Sequence, residues 1–286
     1  MKIIKNALQM QKIALKHLED GDEIGLVPTM GALHEGHISL IAKSVKNDDI
    51  TIVSIFVNPV QFGPNEDYLK YPRPSEKDKE ICKKNHVDYV FLPSVNDMFP
   101  SDHKTFIEVK TLQDILCGAS RVSHFRGVAT VVAKLFNISC ADRAYFGMKD
   151  FQQLKIVEKM AKDLNFRTKI VPCSIVRERN GLALSSRNSY LSVDEKKTSM
   201  NISKTLREAA KDFKHRDFNS VKKDAVDRLK KIPGSKIDYA EIVNFDDLSP
   251  ADKNTKKAVF AVAIWIGKTR LIDNIAMIKS RRRVRK

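Results

Sequence analysis

The sequence predicts an α/β protein, in which a Rossmann-like, doubly wound parallel sheet is followed by a second, smaller α+β domain. Two observations predict this architecture. In the first part of the chain, short apolar, β-branched runs alternate with segments of helical periodicity, and the connections are short. Beyond residue 176 the alternation stops, and lysine-rich helical segments precede two further strand-like runs. We therefore place the domains at 1–176 and 177–286, and expect the second to close over the first as a lid.

Each element of the first domain follows from its apolar pattern. The run Asp49–Val57 is nearly continuous in apolar character, which is typical of a strand covered on both faces. Apolar residues between 7 and 20 recur at helical spacing, and a glycine ends that segment. The predicted strands are 24–27, 49–57, 89–92, 143–146 and 169–175, and the predicted helices are 7–20, 38–43, 76–86, 127–137 and 151–164. We expect 94–126 to be irregular apart from a short strand at 105–110.

The second domain is predicted from longer periodic segments. Residues 176–191 are polar and hairpin-like, and 192–215 and 220–231 predict amphipathic helices. Two strands are predicted, at 237–243 and 258–266. The basic tail 281–286 is expected to be a frayed terminus.

Composition limits the class of protein. With 42% hydrophobic residues, 11 Gly and 10 Pro in 286 residues, the chain is typical of globular proteins. No apolar run approaches the roughly 18 residues that span a bilayer, and the N-terminus lacks a signal-peptide pattern. The four cysteines lie more than 20 residues apart, which indicates reduced thiols and no zinc framework. We expect a soluble, cytoplasmic protein with no membrane partner.

The chain is strongly basic, with 51 basic against 35 acidic residues and a formal charge of +16. Such a surface could attract nucleic acid or polyanionic small substrates, or simply keep the protein soluble. The lysines are scattered along predicted helices and lack interleaved aromatic residues, which argues against a nucleic-acid partner. The other two explanations stay open.

The first stretch that indicates chemistry is Pro28–His37, between a predicted strand and a predicted helix. Its histidines, His34 and His37, are three residues apart and would share one face of the opening turn, beside backbone N–H groups that suit an anion. A neutral imidazole N–H can also donate to a phosphate. The spacing differs from H-E-x-x-H, where the histidines are four residues apart. We favour a phosphate site, with a structural role or a metal site as alternatives.

Three further stretches carry polar groups at strand ends. After the second predicted strand, Asn58 and Gln61 could hold a carboxylate without the tight ion pair that lowers nucleophilicity. In 147–153, Gly147 allows close approach, Lys149 can reach phosphate, Asp150 can accept from ribose, and Gln153 adds an amide. In 176–188, Ser185, Ser186 and Arg187 would form a phosphate clamp. Taken singly, each stretch could equally be an ordinary turn or a capped helix start.

Together the four stretches suit a nucleoside triphosphate and a second, carboxylate substrate. Histidines, a lysine, an arginine and serines would meet the phosphates, and amides remain for the other groups. The sequence contains no Walker P-loop, no glycine-rich dinucleotide fingerprint and no serine elbow.

The sequence resembles the pantoate–β-alanine ligases, a family of the HIGH-type nucleotidyltransferase superfamily. Between about residues 24 and 190, the resemblance is carried in order by the motifs PTMGALHEGH, FVNPVQFGPNEDY, YPR, HFRGVATVV, YFGMKDFQQL and ERNGLALSSRNSYL. It implies ATP-dependent condensation of (R)-pantoate with β-alanine through a pantoyl adenylate, giving pantothenate, AMP and pyrophosphate. It also implies a homodimer, and Mg²⁺ accompanying ATP and held mainly by phosphates and water.

The resemblance further implies residue roles. His37 corresponds to the proton donor, and His34, Lys149 and Arg187 are the other groups expected to meet negative charge. Gln61 and Gln153 correspond to pantoate contacts, and Gln61 also to a β-alanine contact. The implied ATP-binding residues are Met30, Gly31, Ala32, Leu33, His34, Glu35, Gly36, His37, Gly147, Met148, Lys149, Asp150, Val176, Leu184, Ser185, Ser186 and Arg187.

Two alternatives stay open at the level of sequence. One is another adenylyl transferase of the same superfamily that acts on a different acid. The other is a basic RNA-binding module, which predicts steeply salt-dependent RNA binding and no ATP turnover.

Overall fold

The computed structural model describes residues 1–64 and 66–279, and the chain divides into two compact units. The first unit consists of Met1–Met148 and Gln152–Val176. The second consists of Lys149–Phe151 and Arg177–Lys286. The grouping of Lys149–Phe151 with the second unit is a feature that the sequence pattern does not indicate. The expected frayed tail at 281–286 lies outside the described residues.

The chain up to Val176 alternates strands and helices. The elements are β1 (Lys2–Ile4), α1 (Ala7–Asp20), β2 (Ile24–Thr29), α2 (Glu35–Asn47), β3 (Ile50–Ile55), α3 (Ser75–Lys84), β4 (Tyr89–Phe91), α4 (Val95–Met98), α5 (Cys117–Ser120), α6 (His124–Ser139), β5 (Arg143–Gly147), α7 (Phe151–Asp163) and β6 (Lys169–Cys173). Short 3₁₀ turns occupy Pro59–Gln61 and Met148–Asp150.

Among the described residues, the strands of the first unit form one six-stranded parallel sheet in the order β1-β4-β3-β2-β5-β6. This confirms the predicted doubly wound fold. From β2 the chain adds strands in one direction through β3 and β4, and then returns to add β5 and β6 on the other side. The order therefore reverses between β2 and β5, and ligands of such sheets bind beyond the carboxyl ends of the strands at this switch point.

The core of the first unit explains why α2 forms where it does. Leu40 and Ile41 are on the buried face of the helix, and Leu33 is buried just before its start. These side chains pack with the apolar residues of the central strands. The cluster contains Val27, Leu33, Leu40, Ile41, Val53, Ile55, Cys82, Val87, Val90, Tyr145 and Cys173.

The short strand predicted at 105–110 is wrong. This segment has no regular structure, and its backbone donors bind side chains instead of a neighbouring strand. The Ile107 N–H donates to Thr130 Oγ1 at 3.0 Å, and the Val109 N–H donates to Gln113 Oε1 at 3.0 Å. The β-branched composition alone could not distinguish these two outcomes.

The second unit contains α8 (Val193–Asp212), α9 (Phe218–Lys230), β7 (Ser235–Asn244), β8 (Lys257–Ile266) and β9 (Thr269–Ile278), with a 3₁₀ turn at Ser186–Tyr190. The three strands pair in the antiparallel order β7-β8-β9. This confirms the predicted smaller α+β domain, although β9 was missed. The central strand, β8, is buried along most of its length, and its apolar residues join those of α8 and α9 in one core.

A helix that spans a bilayer must be both long and apolar. Within 1–64 and 66–279, no helix meets both conditions.

Candidate active site

The turn between β2 and α2 is held by one buried carboxylate. Asp78 on α3 is 1% exposed, and its two oxygens accept from the N–H groups of Ala32 and Leu33, each at 2.8 Å. Gly31 (φ 83°) and Ala32 (φ 51°) both adopt the left-handed conformation that favours glycine. A Cβ on Gly31 would lie 2.9 Å from Asp78 Oδ2. Burial raises the pKa of Asp78, and the two backbone hydrogen bonds only partly offset this effect.

His34 and His37 cap the start of α2 reciprocally. The Gly36 N–H donates to His34 Nδ1 at 3.1 Å, and the His34 N–H donates to His37 Nδ1 at 3.3 Å. The two rings lie with their centroids 4.1 Å apart. Because each Nδ1 accepts a hydrogen bond, the proton of each neutral imidazole is assigned to Nε2. The backbone therefore selects the tautomer in which Nε2 is the donor.

This geometry changes how the turn could meet an anion. The backbone N–H groups of Gly31, Ala32, Leu33, His34 and Gly36 all donate within the loop or to Asp78. The amides that were expected to bind an anion are therefore engaged by the protein itself. On each of the two rings, the nitrogen that carries the proton, and so can donate, is Nε2.

Gln61 lies beside this turn, and its amide orientation is fixed. It is 8% exposed; its Oε1 accepts from Asn58 Nδ2 at 3.1 Å, and its Nε2 lies 3.0 Å from Met30 Sδ. Asn58 in turn donates to the Gly127 carbonyl at 3.1 Å. Since the Gln61 oxygen is already bonded to an asparagine, its N–H groups are what it can present to a carboxylate or a hydroxyl.

A charged network holds the backbone of Gln61. His124 Nδ1 lies 2.8 Å from the Gln61 carbonyl, so Nδ1 carries the proton, and Arg121 donates to His124 Nε2 at 2.9 Å. Arg121 also forms a two-pronged ion pair with Glu66, at 2.7 and 2.6 Å. Burial acts to raise the pKa of Glu66, but the hydrogen bond and charge of Arg121 outweigh it, and that pKa is lowered.

The neighbouring glutamines of α7 have different roles. Gln152 is 5% exposed and is bonded to the backbone of Leu112, Ile115 and Cys117 at 2.6–2.9 Å. The side chain of Gln153 is half-buried and makes no hydrogen bond to the described residues. The structural glutamine is thus Gln152, and Gln153 has an amide suited to a ligand.

Gly147 ends β5 nearby in sequence, and a Cβ there would meet no described atom within 4 Å.

In the second unit, Lys149 and Asp150 form a neighbouring ion pair with 3.3 Å between Nζ and Oδ2. The Lys149 side chain is 19% exposed and the Asp150 side chain 46% exposed. The lysine therefore runs mostly through protein to its charged end. Its main-chain oxygen accepts from Asn274 Nδ2 at 2.9 Å.

The predicted phosphate clamp lies on a short turn after a hairpin. Arg177 and Ala183 form an antiparallel bridge, and Ser185 Oγ accepts from the Arg187 N–H at 3.3 Å. Asn188 anchors the turn by donating to the Ala183 carbonyl at 3.0 Å. The predicted residues Leu184–Arg187 are all half-buried, whereas the residues on either side of them are buried. Val176 is half-buried and ends the first unit.

The structure thus places the predicted residues in two groups. In the first unit, the histidine turn and Gln61 lie together, joined through Met30, and no hydrogen bond links Gln153 to them. The second unit contains Lys149, Asp150 and Leu184–Arg187. Among the described residues, no group of three or more His, Cys, Asp or Glu is arranged to hold a metal ion.

Sequence reasoning missed the residues that support these groups. Only the burial of Asp78 could have been predicted, because this residue lies four residues before Cys82 and so shares its face of α3. His124 belongs to the motif HFRGVATVV, but nothing in its spacing indicates a bond to the backbone of Gln61. Asn274 lies in a strand that was not predicted.

The fold and the site together define the class of protein. A doubly wound parallel sheet with a histidine pair on the turn after β2, next to the switch point, is typical of the α/β proteins that bind nucleotides. The sequence model of one family, described as Pantoate-beta-alanine ligase, matches residues 2–276, and the chain belongs to this family. It is an enzyme, a ligase with pantoate–β-alanine ligase activity.

Individual relatives agree along nearly the whole chain. The pantothenate synthetase of Endomicrobium trichonymphae is 86% identical over 281 residues, which cover 98% of this chain and 99% of that protein. A crystal structure of pantothenate synthetase from Thermus thermophilus has a TM-score of 0.91 at 36% identity, covering 96% and 99% of the two chains. A pantoate-beta-alanine ligase from Francisella tularensis, complexed with beta-gamma ATP and β-alanine, has a TM-score of 0.79 at 37% identity, covering 96% and 97%.

Proposed function

We propose that the chain condenses (R)-pantoate with β-alanine in two steps that share one acyl-adenylate intermediate. The pantoate carboxylate attacks the α-phosphorus of ATP, so that an acyl–phosphate bond forms and pyrophosphate leaves. The β-alanine amine then attacks the acyl carbon, loses a proton, and displaces AMP. The product, pantothenate, lies on the route to coenzyme A. The crystal structure of the Francisella tularensis relative with beta-gamma ATP and β-alanine supports both ligand classes.

One observation carries this proposal: the reciprocal cap that directs two imidazole N–H groups away from the backbone of α2. In the first step, negative charge builds up on the leaving pyrophosphate. Donors fixed before the reaction stabilise such charge without reorganisation. His37 is proposed as the proton donor to a phosphate oxygen, with His34 as a second hydrogen-bond donor.

The carboxylate substrate is proposed to lie against the amides of Gln61 and Gln153. A guanidinium would hold a carboxylate more tightly, but in an ion pair that reduces its nucleophilicity. Gln61 presents N–H groups because its oxygen is bonded to Asn58. Gln61 is also proposed to contact β-alanine, which must attack the same acyl group.

The residues proposed to bind ATP are Met30–His37, Gly147–Asp150, Val176 and Leu184–Arg187. Among them, Lys149 and Arg187 are proposed to meet phosphate charge, and Asp150 to accept from ribose. Half-burial of Leu184–Arg187 between buried neighbours supports a role in contacting a ligand.

The proposal includes Mg²⁺ with ATP. Mg²⁺ usually keeps several waters and binds substrate phosphates with one or two carboxylates. The described residues contain no dedicated metal cluster, so the phosphates and water would supply most ligands. The ion would neutralise charge on the departing pyrophosphate.

We also propose a cytoplasmic homodimer. The four cysteines, all among the described residues, are thiols and not disulfides, which suits a reducing compartment. The homodimer is implied by the family resemblance, and sedimentation equilibrium at micromolar concentration would test it.

The key experiment separates the capping role of His34 from its proposed role toward phosphate. His34→Asn keeps an acceptor for the Gly36 N–H, since asparagine is a good N-cap residue, but removes Nε2. We expect near wild-type thermal stability and a loss of pantoate-dependent ATP–pyrophosphate exchange of about tenfold or more. His34→Ala should lose the exchange and also about 1 kcal/mol of stability.

The exchange assay contains its own controls. Omitting pantoate should abolish exchange, and AMP release should require both pantoate and β-alanine. Exchange supported equally well by unrelated carboxylic acids would point to a different acid substrate. Full exchange in His34→Asn would show that the histidine is only a cap.

A further inference from the structure

Two adjacent polar residues are buried in the middle of β9. Asp273 and Asn274 are 5% and 4% exposed, although they are part of an otherwise mostly apolar strand. Buried polar groups lower stability unless they are hydrogen-bonded, so their partners indicate why such residues are present. Successive side chains of a strand point to opposite faces, and the two residues therefore serve different neighbours.

Asp273 is on the core-facing side of the strand, in phase with Leu271 and Met277. Arg177 pairs with it through two bonds, at 2.7 and 2.8 Å, and also donates to the Gly181 carbonyl at 3.1 Å. One guanidinium therefore joins β9 to the hairpin that precedes the proposed phosphate clamp. This arrangement anchors the hairpin at its base.

Asn274 points to the other face and donates to the main-chain oxygen of Lys149 at 2.9 Å. Lys149 is 125 residues away in sequence, and it is the proposed phosphate-binding lysine. Phe151, two residues later, packs on Phe245 with ring centroids 5.0 Å apart. The hydrogen bond from Asn274 and the aromatic contact with Phe245 thus both tie the short segment Lys149–Phe151 to the second unit.

We infer that Asn274 is a positioning residue for the reaction: it fixes the backbone of Lys149 so that the ammonium group meets the ATP phosphates at one place. The inference rests on the proposed function of Lys149. A backbone hydrogen bond is a suitable device because it leaves the lysine side chain available for the substrate. Misplacement by about 1 Å can lower a rate a hundredfold, so a remote amide can affect catalysis strongly.

The test is a double-mutant cycle of Asn274→Ala and Lys149→Ala, read as kcat and KM for ATP in AMP release. We expect Asn274→Ala alone to lower kcat/KM for ATP about 10- to 100-fold, with the KM for pantoate little changed. In the Lys149→Ala background the same change should have almost no further effect. A merely structural residue would give the same fold-loss in both backgrounds.

Asn85→Ala is the matched control. Asn85 also donates its side-chain amide to a backbone carbonyl, that of Ile81, at 2.8 Å, but it lies at the end of α3, outside the proposed site. Its kcat/KM should stay at the wild-type value. If Asn274→Ala does not fold, Asn274→Leu takes its place in the cycle, because leucine has a similar size, carries no charge and lacks the donor.

The outcomes separate the two claims. An impaired Lys149→Ala with equal losses in both backgrounds would overturn the role of Asn274 and leave that of Lys149 intact. A fully active Lys149→Ala would overturn the proposed role of the lysine, and with it the inference. A loss on Asn274→Ala that occurs only while Lys149 is present supports both.

Discussion

The histidine turn of the first unit and the Lys149 segment of the second are held in place in different ways. The histidine rings accept from backbone N–H groups two and three residues away, so a short stretch of sequence sets the orientation of both rings. Lys149 is held by Asn274, and the hairpin at Arg177 by Asp273, across 125 and 96 residues. The first arrangement can be recognised in a motif, whereas the second exists only after β9 has paired.

This difference has an energetic consequence. A local cap stabilises its helix by about 1 kcal/mol and needs little loop closure. A long-range anchor depends on the whole unit, because the entropy of closing the intervening loop is offset only by the combined core. The second unit should therefore lose its site geometry together with its fold, and the following changes test this comparison.

The largest effect is expected from Arg177→Ala in the second unit. It would leave the Asp273 carboxylate, which is 5% exposed, without the guanidinium that balances its charge. Breaking such a pair costs about 3 kcal/mol or more of unfolding free energy. The single tryptophan, Trp265, lies in β8 of the same unit, so its fluorescence during urea unfolding measures the change.

Arg228→Ala is the control for this change. Arg228 pairs with Glu208 at 3.0 Å, but both side chains are about 40% exposed. Its loss should change the unfolding free energy by less than about 1 kcal/mol. Equal losses in the two variants would mean that the Asp273 anchor is no stronger than a surface pair.

In the first unit, His37→Ala should lower pantoate-dependent ATP–pyrophosphate exchange by about a hundredfold or more, the scale of one lost transition-state donor. Lys149→Ala in the second unit should cause a loss of similar size. His215→Ala is a suitable control, because this histidine is exposed just after the end of α8. Near-normal exchange in His37→Ala would contradict its role as proton donor.

A smaller, pH-dependent effect is expected at Asp78, the long-range anchor of the histidine turn. Burial raises its pKa in the folded state above the ordinary value of 3.8. The folded state then binds its proton more tightly, so its contribution to stability is present below pH 3.8 and is lost as the pH rises through the folded pKa.

Asp78→Asn contains no titrating group at this position and lacks that dependence. The unfolding free energy of wild type should therefore fall relative to that of Asp78→Asn as the pH is raised from about 4 to 7. Urea unfolding at several pH values measures it. A pH-independent difference would mean that burial does not perturb this carboxyl group.

The smallest effect is expected from Gln61→Ala. It should raise the KM for pantoate about tenfold, the size of one lost hydrogen bond to a charged group, with the KM for ATP little changed. Gln11→Ala removes a half-buried glutamine whose amide donates to the Asn137 carbonyl, and should leave both constants unchanged. An unaltered pantoate KM in Gln61→Ala would contradict the proposed contact.

Much of the fold could be predicted because its signals are local. The run at β3 is buried on both faces, and the resulting continuous apolar pattern gives its position within two residues. β9 was missed because Arg270, Asp273 and Asn274 break its apolar pattern. In the folded unit, Arg270 and Asp273 form ion pairs, and Asn274 forms a hydrogen bond. The strand predicted at 105–110 is absent for the converse reason. The segment contains β-branched residues, but its backbone N–H groups donate to side chains and not to a neighbouring strand.

The candidate site divides in the same way. His34, His37 and Gln61 could be chosen from residue type and from their place after a strand. Asp78 could not, because its function is to accept from amides 45 and 46 residues earlier. A pairing of that kind depends on which elements become neighbours, and no spacing in the sequence encodes it.

The sequence by itself determined the family, the doubly wound sheet and the polar groups at its strand ends, because periodicity and short motifs act over a few residues. Tertiary structure alone decided which of the two glutamines of α7 is structural, and that Lys149 is held by β9. Those features depend on hydrogen bonds that form only once the chain has folded, most of them between residues far apart in sequence. Burial gives such bonds their strength, and burial exists only in the folded protein.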